Sequence, residues 1–345
     1  MVPMWRSLKF RPIGPLALRG PGEISTGFHL GHIPLPLPST LIGSISAVGW
    51  HLSGRTPSTS NKIERILINV KKALNCKVKC IRGPYLRYGG EWHIWAGSGV
   101  VNLNPDGIRE WINRQNKGER PGKRAKEIEK YDHYPKELSI KEDGPIAVYN
   151  RTSASLDRKR KVVKFEGGAL FTVPYVDFNG EIILDFNCDS DEEMNYDREF
   201  VVRLGGESRI SRVSIEKGGG LYNKLEEIWR DRDGGECIAV LASLMLLEDK
   251  ISEVGDLIKL LEKEFNGSSA SFKDEIYSVH PRVRVEVINF YPGYDEVMNK
   301  KEKMIKAILP GAAFPLEVRD WRKVYSNGIG KFREIGYGTV VPIPF

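Results

Sequence analysis

Near its start the chain alternates Leu8 and Phe10 with Lys9 and Arg11, the two-residue period of a strand with one buried face, and Pro12 and Gly14 close that strand. A Gly/Pro-rich stretch runs from Gly14 to Pro38, and the period then changes. In "PLPLPSTLIGSISAVGWHLSG" the prolines enforce an extended approach, and Ser39 or Thr40 is placed to cap. Leu41, Ile42, Ile45, Val48 and Leu52 form a helical apolar stripe. Gly43, Ser44, Ser46 and Gly49 keep much of the remaining surface small, which admits the close approach of another backbone or of a polymer. A second helix is predicted over about 61–74, with Ile63, Ile66, Leu67, Val70 and Leu74 on one face. In "NCKVKCI", Cys76, Val78 and Cys80 alternate with Lys77 and Lys79 and read as the buried face of a strand.

Farther on, 170–178 is strand-like. The acidic "DSDEEMNYDRE" reads as a solvated helix start, because its carboxylates follow no fixed metal-ligand pattern. "FVVRLGGESRISRVSIE" sets a Gly-Gly turn with Arg203, Arg209 and Arg212 before an alternating strand. The last third predicts a strand over 236–247, a helix over 251–265, strands over 282–290 and 311–318, and a short closing strand. Each half therefore reads strand, helix, strands, basic glycine-rich turn, strand. That order predicts an α+β protein of two ferredoxin-like (RRM-like) βαββαβ domains with loop insertions, residues 1–218 and 219–345, dividing near Gly218–Gly220.

With 345 residues the chain is long enough for two such domains, and its net charge of +7 and pI near 9.0 are only modestly basic. The distribution of charge says more. Residues 114–130 hold seven basic side chains against three acidic ones, and 151–164 hold six against one. The longest apolar run, Ile238 to Leu247, falls short of the ~20 residues of a membrane helix. The first residues lack the order of a secretory signal, so a cytoplasmic protein is expected. The four cysteines, at 76, 80, 188 and 237, have no zinc-ligand spacing and are expected to be packed thiols. Trp92 and Trp95 in "EWHIWAG" have the rings to stack bases, although Trp92 with Ile94 on one strand face reads better as core.

The chain closes on "SNGIGKFREIGYGTVVPIPF", in which Gly328-Ile329-Gly330 and Gly336-Tyr337-Gly338 flank five residues that include Lys331 and Arg333. Glycines in a turn aim successive N–H groups at an anion, and basic side chains beside them suit phosphate. A Walker loop is excluded, because Gly330-Lys331 is followed by Phe332. A dinucleotide fingerprint is excluded too: position 333 is Arg, and the seven residues after Gly338 leave no room for a crossover. A bulged hairpin with no ligand remains the competing reading.

This glycine spacing resembles the glycine-rich loop of the RAMP superfamily of CRISPR RNA-binding proteins. "PLPLPSTLIGSI" is similar to the Pro-rich, Ser-Thr-capped first helix of subunits that cap the 5′ end of a guide. "FVVRLGGESRISRV" looks like the mid-chain Leu-Gly-Gly-Glu-x-Arg element of the third subunit of the type III-B Cmr complex, and "RGPYLRY" and "LPGAAFPLEV" fit the same order. The insertions at 114–130 and 189–199 have no counterpart in it.

The resemblance implies a non-catalytic subunit that needs no cofactor or metal. It would hold the 5′ repeat-derived tag of the CRISPR RNA and bridge the large polymerase-like subunit to the backbone RAMP subunits. RNA-binding residues expected on this basis are Gly328, Gly330, Lys331, Arg333, Gly336 and Gly338 at the terminal loop, with Ser39 and Thr40 at the first helix. To these are added Arg203, Arg209 and Arg212 at the middle turn. Arg151, Arg158, Lys159 and Arg160 are expected on a thumb-like hairpin. Two alternatives stand beside it. One is a metal-independent repeat-processing endoribonuclease using His29 or His32, which lack an adjacent Lys or Tyr partner. The other is a scaffold subunit that makes no RNA contact.

Overall fold

The computed structural model describes residues 4–18, 33, 35–54, 59–97, 99–118, 146–154, 156–157, 162–163, 170–189, 194, 196–205, 209–218, 220–247, 251, 254–280, 284–291, 294–295, 300–301 and 303–345. The protein is a mixed α/β structure built on antiparallel sheets. Strand β1 (Met4–Pro12) lies at the centre of the larger sheet, between β9 (Glu181–Cys188) and β11 (Ile210–Lys217). Its alternation fixes the register, with Leu8 opposite both Ile215 and Leu184, all three buried. Beyond β9 come β2 (Val78–Tyr88), β3 (Glu91–Ala96) and β4 (Gly99–Asn102), and beyond β11 comes β10 (Glu199–Arg203). The order is β10-β11-β1-β9-β2-β3-β4.

Helices α1 (Pro38–Ser53) and α2 (Lys62–Leu74) connect β1 to β2. The small face of α1 meets another backbone: a Cβ on Gly49 would lie 1.8 Å from the Asn69 carbonyl oxygen of α2. Two expectations for α1 are corrected. Its N-cap is Leu37 rather than Ser39 or Thr40, because Pro38 supplies the pre-set φ of the first turn. Leu52 is 56% exposed, since it falls on the last turn, past the contact with the sheet. The capping residue of α2 is Asn61, which accepts from the amides of Ile63 and Glu64 at 3.0 and 3.3 Å.

A second sheet has the order β14-β20-β12-β21, from β12 (Gly235–Leu241), β14 (Ala270–Phe272), β20 (Ala312–Val318) and β21 (Val340–Pro344). Helix α3 (Pro105–Asn116) follows β4, and α4 (Gly220–Trp229), which the sequence pattern did not predict, precedes β12. Helices α5 (Val254–Gly267) and α6 (Trp321–Asn327) follow within this half, and α6 was also unexpected. The strand expected over 236–247 divides into β12 and β13 (Met245–Leu246), which belong to different sheets. Ser243 makes the division: its hydroxyl donates to the Gly336 carbonyl (2.7 Å) and accepts from the Thr339 amide (2.9 Å). β13 pairs with β19 (Ile305–Ile308), another strand not foreseen, which pairs in turn with β16 (Val287–Phe290), shorter than the expected 282–290.

The second helix expected in the first half is not found among the described residues between β9 and β11. Residues 190–193 and 195 of the acidic stretch lie outside the described residues; its last residue, Glu199, opens β10, where exposed Glu199, Val201 and Arg203 alternate with buried Phe200 and Val202. The four-thiol expectation is likewise corrected. Val78 lies opposite Cys188, and Cys76 is joined to Cys188 in a disulfide with Cα atoms 6.1 Å apart, while Cys80 and Cys237 stay free.

The two sheets share their cores. Trp5, Tyr85 and Ile183 of the first pack with Trp229, Tyr325 and Ile343 of the second half, and Leu246, Ile335 and Tyr337 pack with Leu8 and Leu41. Trp95 is buried and Trp92 half-buried in this shared region. Among the described residues no helix is long and apolar enough to cross a membrane.

Candidate nucleic-acid interface

The terminal glycine stretch connects α6 to β21 and lies against both halves of the molecule. Gly338 shows why a side chain is excluded: its φ is +58° and a Cβ would sit 1.6 Å from the Ile329 carbonyl oxygen. Gly330, at φ +80°, would place a Cβ 2.6 Å from the Leu246 carbonyl oxygen. The expected nest of outward amides is therefore corrected. The amide of Ile329 donates to Gly338 O (2.9 Å), that of Lys331 to Leu246 O (2.9 Å), that of Gly338 to Leu244 O (2.8 Å) and that of Gly336 to Arg333 O (3.3 Å). The Gly330 amide donates to Glu264 Oε2 at 3.2 Å. These glycines allow the chain to fold closely on itself, and their N–H groups are spent inside the protein.

A residue that sequence reasoning did not single out organises the loop. Arg82, on β2, is 1% exposed, and its guanidinium is surrounded by main-chain carbonyls. Nε donates to Tyr325 O (2.6 Å), Nη1 to Arg333 O (2.6 Å) and to Ile81 O, and Nη2 to Ser326 O. One buried cation thus ties the end of α6 to the far side of the loop. The only signal in the sequence was the position of this arginine in "IRGPYLRY", on a strand whose neighbours are apolar.

Ser39 and the terminal loop do come together. Ser39 Oγ lies 2.8 Å from the hydroxyl of buried Tyr337, and a Cβ on Gly336 would touch Pro38 at 3.2 Å. Burial pushes the Tyr337 hydroxyl up to about 12, so it stays protonated. The Thr40 amide already donates to Leu37 O at 3.0 Å.

Beside this junction, α2, α5 and the loop enclose a groove of about 800 Å³. Lys71 and Lys77 line one side and Lys331 and Arg333 the other, with Leu67, Leu260 and Phe332 between them. Phe332 has a positive φ of 59°, which L residues rarely adopt, and this turns its half-buried ring into the groove wall. Glu264 moderates the charge. Its carboxylate, with a side chain 16% exposed, accepts from Arg333 Nη1 at 3.3 Å as well as from Gly330. A smaller hollow of about 360 Å³ adjoins, lined by Lys79, Lys263 and Arg333 among others.

The remaining expected residues gather elsewhere. Strands β5 (Ile146–Ala154) and β8 (Leu170–Phe178) pair along their full length, and β6 (Leu156–Asp157) pairs with β7 (Val162–Val163), so the arms of the expected hairpin form. Arg158, Lys159 and Arg160 lie outside the described residues, as do His29 and His32. Arg151 is exposed and its guanidinium lies 5.3 Å from the centre of the Tyr175 ring. Arg209 stands 4.9 Å from the same ring. Arg203 and Arg212 are exposed on the edge hairpin β10–β11. On the same sheet face, burial alone would raise Glu181, but hydrogen bonds from Arg87 and Arg11 outweigh it and hold the carboxyl below its ordinary range.

No family profile matches the chain. A sequence relative, the CRISPR system CMR subunit Cmr3 of Saccharolobus solfataricus, is 21% identical over 355 residues, which cover 98% of this chain and 96% of the relative. A chain in the cryo-EM structure of the type III-B Cmr-beta bound to cognate target RNA superposes with a TM-score of 0.58 at 21% identity, covering 97% of this chain and 96% of that one. A chain of the type III-B Cmr-beta bound to cognate target RNA and AMPPnP gives 0.57 at 19% identity, covering 97% and 95%. The fold so defined is that of a chain of a CRISPR effector complex. In sequence the likeness is to a Cmr3 subunit of a CMR system, over nearly the whole chain.

Proposed function

We propose that the chain is a non-catalytic, cytoplasmic subunit of a type III-B RNA-guided effector that caps the 5′ repeat-derived tag of the CRISPR RNA. It bridges the large polymerase-like subunit to the backbone RAMP subunits, and its two ferredoxin-like halves divide near residue 218. The observation that carries this reading is the position of the terminal loop between two neighbours: it meets the first helix where Ser39 lies against Tyr337, and it supplies Lys331 and Arg333 to the groove that α2 closes. Full-length likeness to Cmr3 supports it. The four cations of the groove stand beside three carboxylates, Glu64, Glu264 and Glu334, and with the apolar walls they suit single-stranded RNA, whose phosphates take Lys and Arg while splayed bases take Phe332 and Leu67.

The glycines enter this reading indirectly. They let the loop fold tightly, and Arg82 locks it, so that Lys331 and Arg333 stand on a rigid support. The test is crosslinking of the assembled complex to a guide carrying photoreactive bases in its tag, beside the Lys331→Glu/Arg333→Glu variant. Adducts in 326–338 and a loss of guide binding of at least about tenfold are expected from two reversed phosphate contacts. Absence of adducts there, with assembly unchanged in the variant, would overturn the capping role.

A further inference from the structure

We propose that β10 is a self-complementary edge through which two copies of this chain join as an antiparallel, two-fold dimer centred on Val201. The inference goes beyond the capping role and does not rest on it. β10 ends the larger sheet, and among the described residues it pairs with β11 alone. The Leu204 amide donates to Arg209 O at 2.7 Å, and the Ile13 amide donates to Ile210 O at 2.9 Å. Main-chain hydrogen bonds alternate in direction along an antiparallel strand. Those two bonds therefore turn the main-chain groups of Phe200 and Val202 toward β11 and leave those of Glu199, Val201 and Arg203 facing outward. The same three residues carry the exposed side chains of the strand. Val201 is 68% exposed, more than any other large apolar side chain among the described residues.

The order of these residues decides what fits. At two-residue spacing the edge reads acidic, apolar, basic. Laid antiparallel on a copy of itself, with the two Val201 side chains face to face, it sets each Glu199 opposite an Arg203. That alignment forms two opposite-charge pairs, one apolar contact and about six main-chain hydrogen bonds. A parallel alignment would set like charges opposite each other, and a slip of two residues would lose the apolar contact. Glu181 and Glu216 already hold Arg11, Arg87 and Lys9, whereas Glu199 and Arg203 have no ion-pair partner among the described residues.

Natural sheets blunt a free edge with proline or with charges that repel a neighbour. β21, which ends the second sheet, follows that rule with Pro342 and Pro344. β10 has no proline, and its opposite charges attract a copy in a single register. An RNA strand would meet a carboxylate beside the arginine and an aliphatic centre with no ring to stack on, so the edge suits a polypeptide strand.

The experiment follows full-length protein, free of RNA, by sedimentation velocity from about 1 to 200 µM, because five residues a side make a small, weak interface. A reversible monomer–dimer equilibrium is expected within that range. Glu199→Arg or Arg203→Glu alone sets two like-charge pairs across the two-fold axis and is expected to weaken dimerisation at least about tenfold. Glu199→Arg/Arg203→Glu together re-forms both opposite-charge pairs and is expected to return the constant to within about threefold of wild type. Val201→Pro removes an outward N–H that the pairing with β11 does not use, and is expected to be monomeric. Should that variant fail to fold, the charge swap, made at two exposed side chains, carries the test by itself. A monomer throughout the range, a dimer indifferent to the single reversals, or a double swap that does not restore it each overturns the proposal. Loss of guide binding in Arg203→Glu with the wild type monomeric throughout assigns the edge to RNA and equally overturns the dimer.

Discussion

Arg82 Nη1 donates to the main-chain carbonyl of Arg333 at 2.6 Å, so a buried cation on the second strand of the first sheet holds the tip of a loop about 250 residues farther along. Its donors go to the main-chain carbonyls of Ile81, Tyr325, Ser326 and Arg333, and among the described residues no carboxylate is ion-paired with it. The candidate interface is therefore a joint product of both halves.

Replacing this arginine should unfasten the loop. Arg82→Met keeps much of the packing and leaves buried carbonyls without donors, at a cost of about 2 to 4 kcal/mol in denaturant unfolding. Guide binding should fall with it, although Arg82 itself is 1% exposed and out of reach of RNA. A stability within about 0.5 kcal/mol of wild type would show that the carbonyls find other partners.

Gly338 of the loop and Gly43 of the first helix should respond oppositely to the same substitution. Gly338→Ala brings a methyl to 1.6 Å from Ile329 O at a φ of +58°, and the loop cannot accept it without moving. A loss of more than about 3 kcal/mol, or no soluble protein, is expected. Gly43→Ala, in α1 with nothing within 4 Å of its Cβ, should be neutral or raise stability by up to about 1 kcal/mol. Equal thermal midpoints for the two variants would contradict this account of the terminal glycines.

Asp185 should give stability a pH dependence of its own. Burial raises its carboxyl from 3.8 to about 6, against the hydrogen bonds of the Tyr222 amide, the Tyr325 hydroxyl and the Gly220 amide. The folded value lies above the unfolded one, so the protonated group's contribution is complete below pH 3.8 and is lost as pH rises through about 6. Between those limits the wild type should lose up to about 3 kcal/mol relative to Asp185→Asn, which does not titrate. Unfolding curves at a series of pH values measure the difference, and parallel profiles for the two proteins would refute the assignment.

Periodicity made several elements legible from the residues alone. The two-residue alternation of Leu8 and Phe10, the helical stripe of 61–74 and the strand over 170–178 each appear with nearly the expected bounds. The pattern failed where burial is continuous. The run from Ile238 to Leu247 carries no period that marks a break, and only the hydrogen bonds of Ser243 to Gly336 and Thr339 divide it between two sheets. Short α6 went unseen because its seven residues span too few turns for a helical period to emerge.

The sequence by itself determined which residues carry positive charge and glycine, the closing loop with Lys331 and Arg333, and the resemblance those motifs support. What only the tertiary structure decided is how those residues are used. The loop amides are consumed by carbonyls of the β12–β13 corner and of the loop itself and by Glu264, Arg333 is shared with Glu264, and Arg151 and Arg209 meet over Tyr175. The physical reason is range. Propensity and periodicity act across neighbouring residues, whereas the partner of a buried amide or guanidinium is set by packing between segments distant in the chain.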